Sequence, residues 1–250
     1  MFAYGQTGSG KTHTVSGMIN LITDDLFDKS ITNISLHVSF IQLLGNSVSD
    51  LMTDDSTTSL SIMEDKFGKI CVAGATEKII TDKDQFLSIT REALERRSTS
   101  TTLKNDTSSR SHAVCRIRFE NTEVKAAEDG FLYLIDLAGS ENVSDTQFHD
   151  KTRIQETKDI NKSLMCLKDC IRNRSKAAVD PTTFVHIPYR QSKLSLLLKD
   201  AFELESFKPS KTVVIANIAP SAADMAMTLN TLRWEETFFV YNIIFEFVGM

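Results

Sequence analysis

The sequence predicts an α/β protein: a mixed, mostly buried β-sheet flanked by helices. Three observations carry that reading. Strand-like and helix-like segments alternate along the chain, as in layered α/β folds. Two apolar runs, residues 131–137 and 212–219, are nearly continuous, which suits strands covered on both faces. Ile160, Leu164, Leu167 and Ile171 recur at helical spacing and make one apolar stripe.

Each element follows from its own pattern. Residues 1–4 (MFAY) are apolar and run into a Gly-rich turn, so they read as the end of a buried strand. Ile34, Leu36, Val38 and Phe40 alternate and predict a strand over 34–44 with one covered face. Residues 50–61 are rich in Ser, Thr and Asp and read as a loop. Residues 82–97 predict a helix with Phe86, Ile89, Ala93 and Leu94 on one side. Ala113, Cys115, Ile117 and Phe119 alternate as a second strand, and the 131–137 run ends in the acid Asp136. Residues 192–202 predict a further helix, and Pro220 closes the strand over 212–219. A polar stretch near 173–183, containing Pro181, reads as the only candidate linker.

Composition bounds the function. The chain has 250 residues, 41% hydrophobic and 24% charged, with ten Gly and four Pro, which excludes collagen-like, low-complexity and disulfide-framework classes. A net charge of -5 argues against a nucleic-acid partner for the chain as a whole. No basic-then-apolar leader opens it, and the most apolar stretch, 238–248, is too short for a membrane span. Cys71, Cys115, Cys166 and Cys170 form no CxxC pair and read as reduced cytosolic thiols, the last two on one helix face.

Gly5-Gln6-Thr7-Gly8-Ser9-Gly10-Lys11-Thr12 is a complete phosphate-loop pattern. Glycines let successive backbone N–H groups converge on a phosphate, and the following helix adds its N-terminal partial charge. Lys11 would neutralise the β- and γ-phosphates, and Thr12 would offer a hydroxyl to Mg2+. A flexible Gly/Ser loop is the plain alternative. Two later segments narrow the use of the nucleotide. Residues 105–112 (NDTSSRSH) put four hydroxyls and a cation in five positions. Residues 136–141 (DLAGSE) place Asp136 at a strand end, where an acid can hold Mg2+, and Gly139 where a backbone N–H can meet a phosphate.

Together, GQTGSGKT, NDTSSRSH and DLAGSE resemble the P-loop, switch I and switch II of a kinesin motor domain. Residues 160–164 (INKSL), 186–194 (HIPYRQSKL) and 215–220 (IANIAP), with Thr228, Leu229, Leu232 and Arg233, resemble its relay helix, microtubule-binding loop and last strand and helix. The resemblance covers residues 1–234 and implies a microtubule-stimulated ATPase, with ATP and Mg2+ as cofactors, acting in the cytoplasm on the microtubule cytoskeleton or spindle. It implies nucleotide contacts from residues 5–12, His13 and Asn105. It assigns Mg2+ to Thr12, Ser108 and Asp136, and the attacking water to Ser108 and Ser109. Gly139 would meet the γ-phosphate, and Arg110 and Glu141 would pair as a latch between the switches.

Residues 161–200 carry eight Lys/Arg against three Asp/Glu, so the rest of the chain is markedly acidic. A solvated face explains such a run by default. The resemblance makes it the contact with acidic tubulin, through Lys168, Arg172, Tyr189, Arg190 and Lys193. Residues 168–172 (KDCIR) are similar to a KEC-I-R stretch of the internal-motor kinesins that depolymerise microtubule ends.

Two departures set further expectations. The resemblance implies first strands ahead of the P-loop that this chain does not contain, so β-edges and apolar faces at Phe2, Tyr4, 131–137 and 213–218 are expected to be uncovered and the chain poorly folded. Residues 235–250 form an apolar tail where the family has a polar neck, and that tail is expected to be no functional element. The competing reading is a catalytically inactive module that binds microtubules or a partner.

Overall fold

The first strand, β1 (Phe2–Tyr4), is only three residues long, yet it is the middle of the sheet. The computed structural model describes residues 1–28, 33–54, 60–99, 109–124, 126–141, 151–180, 182–202, 210–235 and 243–249. After β1 come α1 (Lys11–Leu26), β2 (Ile34–Leu44), β3 (Ser47–Asp50), β4 (Ser61–Glu64), β5 (Ile70–Ala73), β6 (Lys78–Ile80) and α2 (Lys83–Thr99). β7 (His112–Asn121), β8 (Gly130–Asp136) and α3 (Lys151–Val179) follow, then α4 (Lys193–Leu197), α5 (Lys199–Phe202), β9 (Thr212–Ile218), α6 (Met225–Glu235) and β10 (Ile243–Gly249).

The main sheet runs β10-β9-β1-β8-β7-β2-β3, and β6 also pairs with β2. β10, β9, β1 and β8 are mutually parallel. β7, β2, β3 and β6 continue the sheet antiparallel. β4 and β5 form a separate hairpin.

Strand alternation divides the core into two layers. Phe2, Tyr4, Ile41, Leu43, Val114, Ile135 and Leu137 pack with Ile160, Leu164, Leu167 and Ile171 of α3 and with Leu194 and Leu197 of α4. Ala3, Val38, Phe40, Cys115, Ile117 and Leu134 pack on the other face with Val15 and Ile19 of α1 and Phe86, Ile89 and Ala93 of α2. The mixed α/β class is therefore the one expected. Cys166 and Cys170 are buried on α3, as their spacing predicts, and all four cysteines are free.

Four expectations change. β1 is hydrogen-bonded on both sides, with Phe2 opposite Ile135 and Val214, and Phe2, Ala3 and Tyr4 are all buried, so its edges and faces are covered. The tail contributes β10, which runs parallel to β9 from Ile243 opposite Thr212 to Gly249 opposite Ile218. Residues 173–179 are no linker, because the apolar stripe of α3 continues through Ala177. The helix expected over 192–202 is broken into α4 and α5. Ser192 caps α4, its side chain accepting from the Ser195 N–H.

His112, at the start of β7, ties the sheet to α3. Its Nδ1 accepts from the Ala138 N–H at 3.0 Å, so Nε2 carries the proton and meets Ser163 Oγ on α3 at 2.8 Å. A second ring proton would face the Ala138 N–H. Burial, with Arg97 and Lys11 nearby, pushes its pKa down to about 3.

Two outcomes follow from this packing. Removal of residues 236–250 strips β9 of one partner, so thermal melts should shift down and light scattering on heating should rise. The unfolded chain protonates His112 near its ordinary value of about 6.5 while the fold resists until about 3. The unfolded state binds more protons across that window, so acid destabilises by up to about 1.4 kcal/mol per pH unit from this group below about pH 6.5, and not above it. Denaturant titrations from pH 7 to 5 should show that fall, and His112→Gln should make it shallower.

Candidate functional site

The parallel strands β1, β8 and β9 all end at the same sheet edge, where α/β folds bind ligands. The Gly-rich loop leaves β1 there and feeds α1, whose first residue is the buried Lys11. Gly10 caps α1 with φ 89°, in the left-handed region. At Gly5 any Cβ would collide with the Asn217 carbonyl and the Ser9 hydroxyl, so the loop can sit against β9 only with glycine there. Lys11 Nζ donates to the Gln6 carbonyl at 2.8 Å, as does Ser9 Oγ, which folds the loop over its own lysine. Thr12 and His13 are exposed at the helix start.

Asp136, at the end of β8, is 2% exposed. Its Oδ2 accepts from Thr12 Oγ1 at 2.6 Å and from Arg97 Nη1. Its Oδ1 is buried and has no protein partner among the described residues. A carboxylate oxygen left open beside a threonine hydroxyl at a phosphate loop is a donor set that fits Mg2+. The paired residues of the expected metal site therefore do meet; its third member, Ser108, and the nucleotide residue Asn105 lie outside the described residues.

The two switch-like segments touch each other and the loop. The Gly139 N–H donates to the Ser109 carbonyl at 2.8 Å, and the Ser140 N–H to the Gly5 carbonyl at 3.2 Å. A Cβ on Gly139 would strike the Glu141 carboxylate and the Thr7 hydroxyl, so this crossing also needs glycine. The expected Arg110–Glu141 latch is absent from this geometry. Glu141 instead accepts from the Thr7 N–H at 3.1 Å and from its hydroxyl, while Arg110 Nη1 lies 3.5 Å from Glu156 on α3. The reason is reach: the loop offers Glu141 two donors at one residue, and Arg110 faces α3.

Arg97 carried no role in the sequence reading beyond ending a helix. It is 1% exposed, and it donates to Asp136, to the Ser111 carbonyl at 2.6 Å and to Ser111 Oγ at 3.3 Å. Its signal was available: Phe86, Ile89, Ala93 and Arg97 recur at helical spacing, so the cation lies on the buried face. Leu94, assigned to that face, is only half-buried. Asn217 on β9 was likewise assigned no role; its Nδ2 donates to Thr14 Oγ1 at 2.8 Å.

The basic residues lie on α3 and on the segment packed against it. Cys166 Sγ of α3 donates to the Pro188 carbonyl at 3.2 Å, and Asn173 Nδ2 to the His186 carbonyl at 2.8 Å, so the Lys168 and Arg172 helix adjoins Tyr189, Arg190 and Lys193. Several of these cations are already engaged. Arg172 pairs with Asp169 at 3.0 Å, and Arg190 with Glu64 at 2.8 Å. Glu64 also takes Lys199 at 3.0 Å, and Arg190 and Lys199 together hold its carboxyl below the usual range. Arg190 and Lys199 both stack on the Tyr189 ring, at 5.7 and 5.6 Å. Among the described residues, no helix is long and apolar enough to cross a membrane.

Comparison with known proteins accounts for this combination. The family model "Kinesin motor domain" matches residues 1–238. The diatom spindle kinesin-1 of Cylindrotheca fusiformis is 37% identical over 94% of the chain and 36% of its own length. Kinesin-like protein KIN-13B of Arabidopsis thaliana is 38% identical over 94% of the chain and 34% of its own. The chain thus spans about a third of the curated relatives it matches. A dimeric KIF14 motor, solved with AMP-PNP in complex with a microtubule, superposes with a TM-score of 0.78 at 31% identity, over 98% of this chain and 72% of that one. The motor and motor homology domain of Kar3Vik1 gives 0.80 at 31%, over 96% and 63%. A family model that matches nearly the whole chain and a backbone shared with solved motors join the loop, the switch crossing and the basic helix, and the chain belongs to the kinesin motor-domain family.

Proposed function

We propose that the protein is a microtubule-binding motor ATPase that couples Mg-ATP hydrolysis to microtubule-based movement or microtubule depolymerisation. The observation that carries this is the meeting of three segments at one sheet edge: the phosphate loop, residues 109–112 and residues 136–141, joined by the Gly139–Ser109 and Thr12–Asp136 hydrogen bonds. Solved relatives hold AMP-PNP or ADP in complex with a microtubule, which supports the reading.

In this reading the loop N–H groups and Lys11 take the β- and γ-phosphates. Thr12, Asp136 and Ser108 hold Mg2+, which when bound neutralises charge developing on the phosphate oxygens. Ser109 positions the attacking water, and Asn105 and Gly139 meet the γ-phosphate. Catalysis is positioning and charge stabilisation, with no covalent protein nucleophile. For the Arg110–Glu141 latch to close, Glu141 must leave Thr7 and Arg110 must leave Glu156. A bound γ-phosphate would call on the loop donors that Glu141 uses here, which would tie the exchange to nucleotide.

Lys168, Arg172, Tyr189, Arg190 and Lys193 form the tubulin-facing surface, which places the protein on the microtubule cytoskeleton. The KDCIR stretch, similar to that of the internal-motor kinesins, favours depolymerisation.

Steady-state ATPase assays with and without taxol-stabilised microtubules test the proposal. Turnover should rise with microtubule concentration. Lys11→Ala should weaken ATP binding by about tenfold or more, as loss of a charge-assisted contact does, and abolish the stimulation. Unstimulated turnover, or tight ATP binding by the variant, would sink it. Cosedimentation supplies a second check. Lys168→Glu with Lys193→Glu should lower microtubule affinity, and wild-type binding should weaken with added salt more steeply than the variant's.

A further inference from the structure

Arg97 is an unusual residue in this fold: a guanidinium on the apolar face of α2, almost wholly removed from water. A lone buried cation is costly, and here Arg97 pairs with the carboxylate of Asp136. Its fork reaches further. Nη2 donates to the Ser111 carbonyl and Nε to Ser111 Oγ, which also accepts from Gln42 Nε2 at 2.9 Å. One side chain therefore spans the end of α2, the entry to β7 and the end of β8.

The geometry on Asp136 is one-sided. Arg97 and Thr12 both address Oδ2, and Oδ1 is buried without a partner among the described residues. A carboxylate held by two donors on one oxygen cannot swing, so its other oxygen keeps one direction. We infer that Arg97 is a positioning residue for the metal-site carboxylate: it pins Oδ2 so that Oδ1 stays presented to Mg2+, and it links that carboxylate to the 109–112 segment through Ser111. This rests on the reading of Asp136 as the Mg2+ carboxylate. Lysine at 97 would keep the charge but lose the planar fork, so it could not hold Asp136 and the Ser111 carbonyl in the same plane.

The test uses the full chain and a fluorescent ATP analogue, with Mg2+ titrated from chelated to saturating levels, for wild type, Arg97→Lys, Arg97→Gln and Asp136→Asn. Thermal melts without Mg2+ or nucleotide report folding separately. Arg97→Lys should fold, and its half-saturating Mg2+ concentration should rise by about tenfold, the usual cost of removing a partner of a metal ligand. Nucleotide binding should recover at saturating Mg2+. Should Arg97→Lys not fold, Arg97→Gln is read in its place. If Asp136→Asn leaves the Mg2+ dependence unchanged, the metal reading of Asp136 fails and the inference goes with it. If Asp136→Asn shifts it and the folded Arg97 variant does not, the inference alone is overturned, whatever that variant's melting point. Loss of folding in both Arg97 variants also overturns it, because the residue would then serve the fold and not the site.

Discussion

A three-residue strand has little stability of its own, and β1 persists because it is hydrogen-bonded on both sides, to β8 through Phe2 and Ala3 and to β9 through all three residues. This double pairing sets the position of nearly everything that matters at the site. The strand's last residue, Tyr4, delivers the phosphate loop to the sheet edge. The same parallel register brings the end of β8, with Asp136, and the end of β9, with Asn217, to the flanks of that loop. β9 in turn is held from its far side by β10. The loop's approach is then so close that Gly5 has no room for a side chain.

Around this frame the polar groups are few, buried and mutually dependent. Arg97, Asp136, Ser111 and His112 are all nearly inaccessible, and each bonds another of the set or a neighbouring backbone group, with only Asp136 Oδ2 engaged on that carboxylate among the described residues. Removing one member of a buried ion pair typically costs about 3–5 kcal/mol, a large share of the roughly 5–15 kcal/mol that holds a domain together. The network is therefore rigid around Asp136. The exposed side of the site is different: Glu141 with Thr7 and Arg110 with Glu156 are partly solvated contacts of small individual worth. The rigid carboxylate Asp136 and the more exposed Glu141 thus sit at the two ends of one short segment, 136–141.

Local pattern made much of this legible. Helical spacing gave the buried stripe of α3, alternation gave β2 and β7, and a continuous apolar run ending in an acid placed Asp136. The phosphate loop was readable because its glycines and Lys11 are contiguous. What went unread either lacked a local pattern or depended on partners distant in sequence. The β4–β5 hairpin and β6 are short and partly exposed, with little periodicity to announce them. The tail's apolar character was plain, but its pairing with β9 is a long-range register that no local pattern encodes.

Arg97 shows the division most clearly. Its place on the buried face of α2 follows from spacing alone, and so was determined by the sequence. Its partner did not follow, because Asp136 is 39 residues away and becomes adjacent only when α2 packs on the sheet. The same holds for Glu141 and Arg110. Sequence determined that an acid and a base lie in the two switch-like segments and that the chain folds around a phosphate loop. Tertiary structure decided which partners they take, since a short-range hydrogen bond goes to whichever donor the packed backbone brings within reach, here Thr7 for Glu141 and Glu156 for Arg110.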